Sequence, residues 1–330
     1  MRVAAIDLGT NTVRLLVGEA DGGGGYHLVF ATQAITRLGE GLLAEGLLQP
    51  EPIRRTLAVL ARYRDQAERH GAAHIAVVGT SAVRRAQNRE AFLAQVRGEA
   101  RLEVRVISGE EEARLTLLGV QAAIRLGERP FVMMDIGGGS AEFVLADRGH
   151  IRASVSTGLG VVVLTEAHLP TDPPSRQELE AVREAALAEL TRQRAGSLRT
   201  LDAARETGPP CLVGTAGTVT TLAAIDLALE SYDPDRVNGH RLPRAQVAAL
   251  GAMLAALPLA RRRQVRGLEP QRADVIVAGA IVSLAAMDAL GFPEMTVSDG
   301  GLREGILLDL LRPGGGLFSG DSPPPARQGH

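Results

Sequence analysis

An Asp-x-Gly turn between two apolar runs occurs twice in this chain. The first is Asp7-Leu8-Gly9-Thr10-Asn11-Thr12 after Val3-Ala4-Ala5-Ile6; the second is Asp135-Ile136-Gly137-Gly138-Gly139-Ser140 after Phe131-Val132-Met133-Met134. Each leads into a second strand-like run, Val13 to Val17 and Glu142 to Leu145. The pattern predicts a β-hairpin whose tip carries a carboxylate, small residues and hydroxyls. Glycines there let backbone N–H groups approach an anion, and consecutive amides form a nest for phosphate oxygens. One such hairpin says little, because many Asp-x-Gly segments are only turns. Two copies, 128 positions apart, predict a duplicated domain with facing phosphate loops.

At 330 residues the chain has room for two domains with real cores. A formal net charge of −2 gives no global reason to expect DNA or an anionic membrane as partner. Aromatic residues make up 3% and Trp is absent, which removes the stacking platforms of single-strand binders. Cys211 is the single cysteine, so no internal disulfide forms and a reducing compartment suits the chain. Asp7 interrupts the first apolar stretch and spoils a signal peptide. Val275 to Met287, the longest apolar stretch, is too short to span a bilayer. The expectation is a cytoplasmic protein. Every residue in the Lys+Arg count of 36 is arginine. Without lysine, a Walker-type phosphate loop and Schiff-base chemistry are both excluded.

Strand and helix signals alternate along the chain, which argues for α/β architecture. A helix is expected from about Pro52 to His70, a buried strand at Ile75 to Val78, a helix at Asn88 to Val96 and a strand at Leu102 to Ile107. Ser108-Gly109-Glu110-Glu111 reads as a capping box that opens a helix to about Leu126; Ser175-Arg176-Gln177-Glu178 reads as another. Cys211 to Val213 is a strand, Thr220 onward a helix, and further helices cover Arg272 to Leu290 and Leu302 to Leu311. From Pro313 glycine and proline dominate, and disorder is expected.

Six segments appear in one order across residues 1–311: Asp7 to Thr12, Gly79-Thr80-Ser81-Ala82-Val83-Arg84, Ser108 to Arg114, Asp135 to Glu142, Gly214 to Thr218, and Ser298 to Gly305. Together they resemble the exopolyphosphatase/guanosine pentaphosphate phosphohydrolase (Ppx/GppA) family of the actin, Hsp70 and sugar-kinase superfold. The Ser-Gly-x-Glu-Glu-Ala-Arg segment just before the second loop is the most specific part. The resemblance implies two duplicated actin-like (ribonuclease H-like) lobes around a cleft. The expected division is residues 1–126, residues 127–311 with the last helix packing back on the first lobe, and a tail at 312–330. The match is to a short two-domain form: longer members carry an extra helical C-terminal region that helps hold long polymers, and this departure leads to the expectation that short polyphosphates or nucleotides are preferred.

The expected activity is Mg²⁺-dependent release of terminal orthophosphate from inorganic polyphosphate. Hydrolysis of guanosine pentaphosphate (pppGpp) is the alternative within the family. Outside it, a non-hydrolytic nucleotide-binding switch or a kinase is the rival. A homodimer is consistent with the family, although no apolar stripe marks an interface. Gly9, Thr10, Asn11, Thr12, Gly137, Gly138, Gly139 and Ser140, with Thr80 and Ser81, would bind phosphate. Gly214, Thr215, Gly217 and Thr218 would add a second contact at a helix N-terminus, or form only a tight turn. Asp135, Glu142 and Asp7 would handle a hard divalent cation, which prefers carboxylate, phosphate and water oxygens. Period-two alternation alone leaves Glu142 facing either the cleft or water.

Hydrolysis of a phosphoanhydride needs an aligned water and a base for its proton. Glu110, Glu111 and Glu112 all suit a helix first turn through the helix dipole. The resemblance selects Glu112 as the base, with Glu111 second. Arg84 would bind the transferred phosphoryl group bidentately. Arg261-Arg262-Arg263 reads as a solvated charge run more readily than as a polyanion grip. His70 and His74 have metal-like spacing, but Gly71 breaks the helix between them and no acid cluster completes a site.

Overall fold

The computed structural model describes residues 1–127, 129–201 and 210–312. The apolar runs flanking the first tip pair as antiparallel strands β1 (Arg2–Leu8) and β2 (Thr12–Ala20), and β2 pairs on its other side with β3 (Tyr26–Ile35). The parallel strands β4 (His74–Gly79) and β5 (Val104–Val106) extend the sheet beyond β1, in the order β3-β2-β1-β4-β5. The second tip repeats the plan. β6 (Phe131–Ile136), β7 (Ala141–Asp147) and β8 (His150–Thr157) form the antiparallel half, while β9 (Cys211–Thr215) and β11 (Glu294–Val297) form the parallel half. A short edge strand β10 (Arg241–Pro243), antiparallel to β11, completes the order β10-β11-β9-β6-β7-β8. The duplication read from two loops is a duplication of sheet topology. The two sheets are those of two actin-like lobes.

β1 and β6 are buried along almost their whole length because helices cover both faces of each sheet, which explains their unbroken apolar runs. Helix α1 (Pro50–Arg69) lays Leu57, Leu60, Tyr63 and Ala67 on the first sheet. A one-turn helix α2 (Ser81–Arg85) follows β4. Helix α3 (Gly109–Ala123) opens with the expected capping box: Ser108 Oγ accepts from Glu111 N at 3.1 Å and Glu111 Oε2 from Ser108 N at 2.8 Å. In the second lobe α4 (Val161–His168), α5 (Arg176–Ala195, with the second capping box), α6 (Ala216–Asp226), α7 (Arg244–Ala256) and α8 (Ile276–Leu290) surround the sheet.

The last helix, α9 (Leu302–Leu311), leaves the second lobe and packs on the first. Leu302, Ile306 and Leu307 join Val3, Ala5, Leu16, Val78 and Leu115 in one core. The crossing of α3 and α9 is set by Gly119 and Gly305: a Cβ on either would run into the backbone of the other helix or its entry turn. The helix carrying Glu112 is thereby seated against the chain's return to the first lobe.

Several boundaries differ from the sequence expectation. Helix α3 ends at Ala123 because Ile124 turns extended. Helix α8 starts at Ile276, since Pro270–Arg272 forms a separate 3-10 turn. Strand β5 is confined to its three residues that pair with β4. Helix α6 begins at Ala216, earlier than Thr220. The tail expected to be disordered lies outside the described residues. No helix among the described residues is long and apolar enough to cross a membrane.

Candidate active site

Because both tips sit on equivalent strands of two facing lobes, the loops meet across the cleft. Gly138 lies against Asn11 and Thr10, and Gly139 against Thr10 and Ser81, so closely that a Cβ on Gly139 would overlap both hydroxyls. Glycine at 139 is required by this approach. Asp7, Gly9, Thr10, Asn11 and Thr12 from one tip line a cavity of about 80 Å³ with Asp135, Gly137, Gly138, Gly139 and Ser140 from the other. Thr80 and Ser81, Glu112, Gly217 and Thr218 complete much of its wall. Most of the residues expected at the site are therefore brought together. Gly214 is not among them: it lies within β9 against Val219 and Met295, and its carbonyl accepts from Ser298 N. Thr215 lines the adjoining chamber, with its hydroxyl on the Gly300 carbonyl at 2.9 Å. The Thr218 hydroxyl donates to Ile136 O at 3.1 Å, which braces the second loop.

Register settles which way Glu142 faces. Asp135 and Glu142 are directly opposed on β6 and β7, so both side chains leave the same face of the sheet. Glu142 is buried and does not itself line the cavity, with Ser156 Oγ donating to its Oε1 at 2.7 Å. Thr116 Oγ1 stands 3.4 Å from Asp135 Oδ2. Among the described residues neither Asp135 nor Glu142 makes an ion pair. Burial, and then the charge of Glu142, push Asp135 up to about 7. Burial raises Glu142 as well, against the Ser156 hydroxyl bond.

The first loop has the same register with a different partner. Asp7 is opposed by Arg14, whose Nη1 lies 3.9 Å from its Oδ2. Burial lifts Asp7 to about 6, with Arg14 pulling the other way. Arg14 is not among the residues expected from the sequence, although it follows Asp7 by the same seven positions that separate Glu142 from Asp135.

Of the three acids opening α3, Glu111 is committed to the capping box, whereas Glu112 is buried and faces the cavity. Arg84 Nη1 donates to Glu112 Oε2 at 3.0 Å and to Ile107 O at 2.8 Å. The Glu112 carboxyl is held well above its ordinary value by burial and the charge of Glu142, against the pull of Arg84. Arg84 thus stands behind Glu112, outside the cavity wall itself.

Arg272 carries no sequence signal at all, yet it is buried in the wall opposite the loops. Its guanidinium fills the space that a side chain at Gly217 would need, and Glu269 accepts from its Nε at 2.8 Å. The arginine run is resolved by burial. Arg262 is 3% exposed and donates to the carbonyls of Leu254, Leu257 and Ala273, so it fixes a turn of the second lobe. His70 stacks on Phe30 with ring centroids 4.4 Å apart. No group of three or more His, Cys, Asp or Glu among the described residues forms a metal cluster by itself.

Beyond Arg14, Asp135 and Arg272 the cavity opens into a chamber of about 780 Å³ between the lobes, walled in part by Tyr26, Tyr232, Leu229 and Asp299.

The model of the Ppx/GppA phosphatase family matches residues 16–313. The exopolyphosphatase 2 of Mycobacterium tuberculosis is 37% identical over 325 residues, covering 94% of this chain and 98% of the relative. Among solved structures, the Ppx/GppA family member of Aquifex aeolicus is 33% identical with a TM-score of 0.76, covering 94% of this chain and 97% of that one. An exopolyphosphatase from Cytophaga hutchinsonii is 28% identical with a TM-score of 0.81, covering 94% and 99%.

Proposed function

We propose, from the fact that this chain belongs to the Ppx/GppA phosphatase family, that it is an exopolyphosphatase, a phosphoanhydride hydrolase releasing terminal orthophosphate from polyphosphate. The observation that carries this reading is the position of Glu112: a buried carboxyl with a raised proton affinity, facing a cavity walled by both phosphate loops. A binding switch needs the loops but no base at that place.

The terminal phosphoryl group lies between Thr10–Thr12 and Gly137–Ser140, held by backbone N–H groups and hydroxyls. Glu112 accepts the proton of the attacking water as the P–O bond to the rest of the chain breaks. A base with its pKa lifted toward the working pH is matched to that task. Arg84 orients Glu112 from behind the cavity wall and keeps a positive charge beside the base, where it offsets charge building in the transition state. Arg14 and Arg272 face the next phosphates at the entrance to the chamber.

The residues present fit a hard divalent cation: two buried, directly opposed carboxylates without an ion-pair partner, beside a phosphate nest. Asp135 and Glu142 would hold Mg²⁺, which would neutralise charge on the phosphates. Asp7, already facing Arg14, would contribute less.

One observation favours pppGpp as a second substrate. The chamber is wide, and Tyr26 and Tyr232 give it flat apolar walls that suit a nucleoside better than a bare chain. The test is phosphate release from short polyphosphate, long polyphosphate, pppGpp and ATP with Mg²⁺. Release from polyphosphate is the expected result; release from none of the four would refute the reading.

A further inference from the structure

The turn after β3 is tied to the first phosphate loop. The N–H groups of Thr36 and Arg37 both donate to Asn11 O, at 3.1 and 3.0 Å, and Gly39 N donates to Thr10 O at 2.8 Å. Arg37 is held there with φ of 53°, a left-handed conformation uncommon for a residue with a side chain. From this turn its guanidinium crosses the cleft: Nη1 lies 2.7 Å from Asp274 Oδ2 and Nη2 donates to Gln271 O at 3.3 Å. Gln33, near the end of β3, makes a parallel crossing. Its Nε2 donates to Glu269 Oε2 at 3.1 Å, and Arg272 Nη2 stands 3.4 Å from its Oε1. The segment Glu269–Asp274 is therefore gripped at both ends by the opposite lobe. It carries Arg272 in the cavity wall and leads directly into Val275 and Ile276, which line the same cavity.

We propose that Arg37 is a positioning residue that clasps the lobes: its bridge to Asp274 fixes Glu269–Asp274 onto the turn bracing the first phosphate loop. Seating Arg272, setting Thr10 and Asn11, and closing the cleft are then one event. The inference rests on the exopolyphosphatase reading for its substrate, but not for its geometry.

The bridge has the strength such a role requires. Both side chains are partly exposed, at 37% and 25%, so salt screens the pair and its worth is a small factor in an equilibrium. A cleft that admits a chain and releases a product must open, and a strong buried bridge would hold it shut. The expected effect is accordingly on binding rather than chemistry.

The experiment compares Arg37→Ala, Asp274→Ala and the exchanged pair Arg37→Asp/Asp274→Arg, measuring phosphate release from tripolyphosphate at low and high ionic strength. Aspartate tolerates the left-handed conformation better than most residues, so the exchange is sterically reasonable. Each single variant is expected to raise KM about two- to fivefold at low salt with kcat little changed, and the gap to wild type should close at high salt. The exchanged pair should recover most of the loss. An independent readout is calorimetric binding of tripolyphosphate in the Glu112→Gln background, where adding Arg37→Ala should weaken Kd by the same factor. An unchanged KM and Kd in Arg37→Ala, or no recovery in the exchange, would overturn the clasp. If wild type released no phosphate, the exopolyphosphatase reading would fail instead, and an unchanged Kd would still refute the clasp by itself.

Discussion

The two phosphate loops stand on the same strand pair, yet they present opposite charge at one register position. In the first lobe Asp7 is opposed by Arg14; in the second Asp135 is opposed by Glu142. Backbone and turn chemistry agree between the halves, down to the seven-residue offset. What differs is the electrostatics. Arg14 offsets the carboxylate beside it, so the first loop offers an anion a near-neutral nest with a guanidinium at its edge. Glu142 doubles the negative charge in the second, where burial lifts Asp135 to about 7 against about 6 for Asp7. A buried pair of like charges is costly unless a cation shares it. The two copies of one scaffold differ in charge at the residue opposite the loop aspartate, and the proposed division of phosphate handling from cation handling rests on that one position.

Between the two loops, removing the carboxylate opposed by a second acid should have the larger effect. Asp135→Asn is expected to lower kcat by about 10²–10³-fold, the range of a lost electrostatic stabiliser, measured as phosphate release at saturating Mg²⁺. Asp7→Asn should cost clearly less. Equal losses in the two variants would break the proposed division.

Glu142→Gln sharpens the same contrast through the metal. It should raise the Mg²⁺ concentration for half-maximal activity by about 10–100-fold, while Arg14→Gln should leave it nearly unchanged and raise KM for polyphosphate instead. Titrating activity against Mg²⁺ in both variants checks this. A shared metal effect would contradict it.

The pH dependence follows from the raised carboxyls. Without metal, folded Asp135 holds its proton from its ordinary 3.8 up to about 7, a range in which the unfolded chain has already released it. The folded state then binds more protons, so stability falls as pH rises through that window. Asp135→Asn should flatten this slope and raise Tm at neutral pH, in thermal melts across pH. With Mg²⁺ the metal competes with the proton, so the acidic limb of the rate profile should move to lower pH as Mg²⁺ increases.

Much of this architecture was legible in the sequence because it is written in local chemistry. The two tips, both capping boxes and the unbroken apolar runs of β1 and β6 each name their own structure. Glu112 needed the family resemblance, since three consecutive acids satisfy a helix dipole equally well; the fold then separates them, with Glu111 spent on the cap. Arg272 was invisible because nothing around it in the sequence says that a 3-10 turn and the open space at Gly217 will aim it into the cleft. Arg262 misled for a similar reason. Its burial depends on three carbonyls, Leu254 in the last turn of α7, Leu257 just past that helix and Ala273 eleven positions after Arg262, and no charge pattern announces that. Arg37 is the extreme case, since its partner lies 237 positions away.

The most direct test of the account is phosphate release and ligand binding by wild type and Glu112→Gln, side by side, with tripolyphosphate and Mg²⁺. The account predicts steady release by wild type, a loss of about 10²–10⁴-fold in kcat for the variant, and tripolyphosphate binding by the variant within a few-fold of wild type. Release by Glu112→Gln at the wild-type rate would contradict it, and would leave Glu112 as an acid at a helix N-terminus with no part in the chemistry.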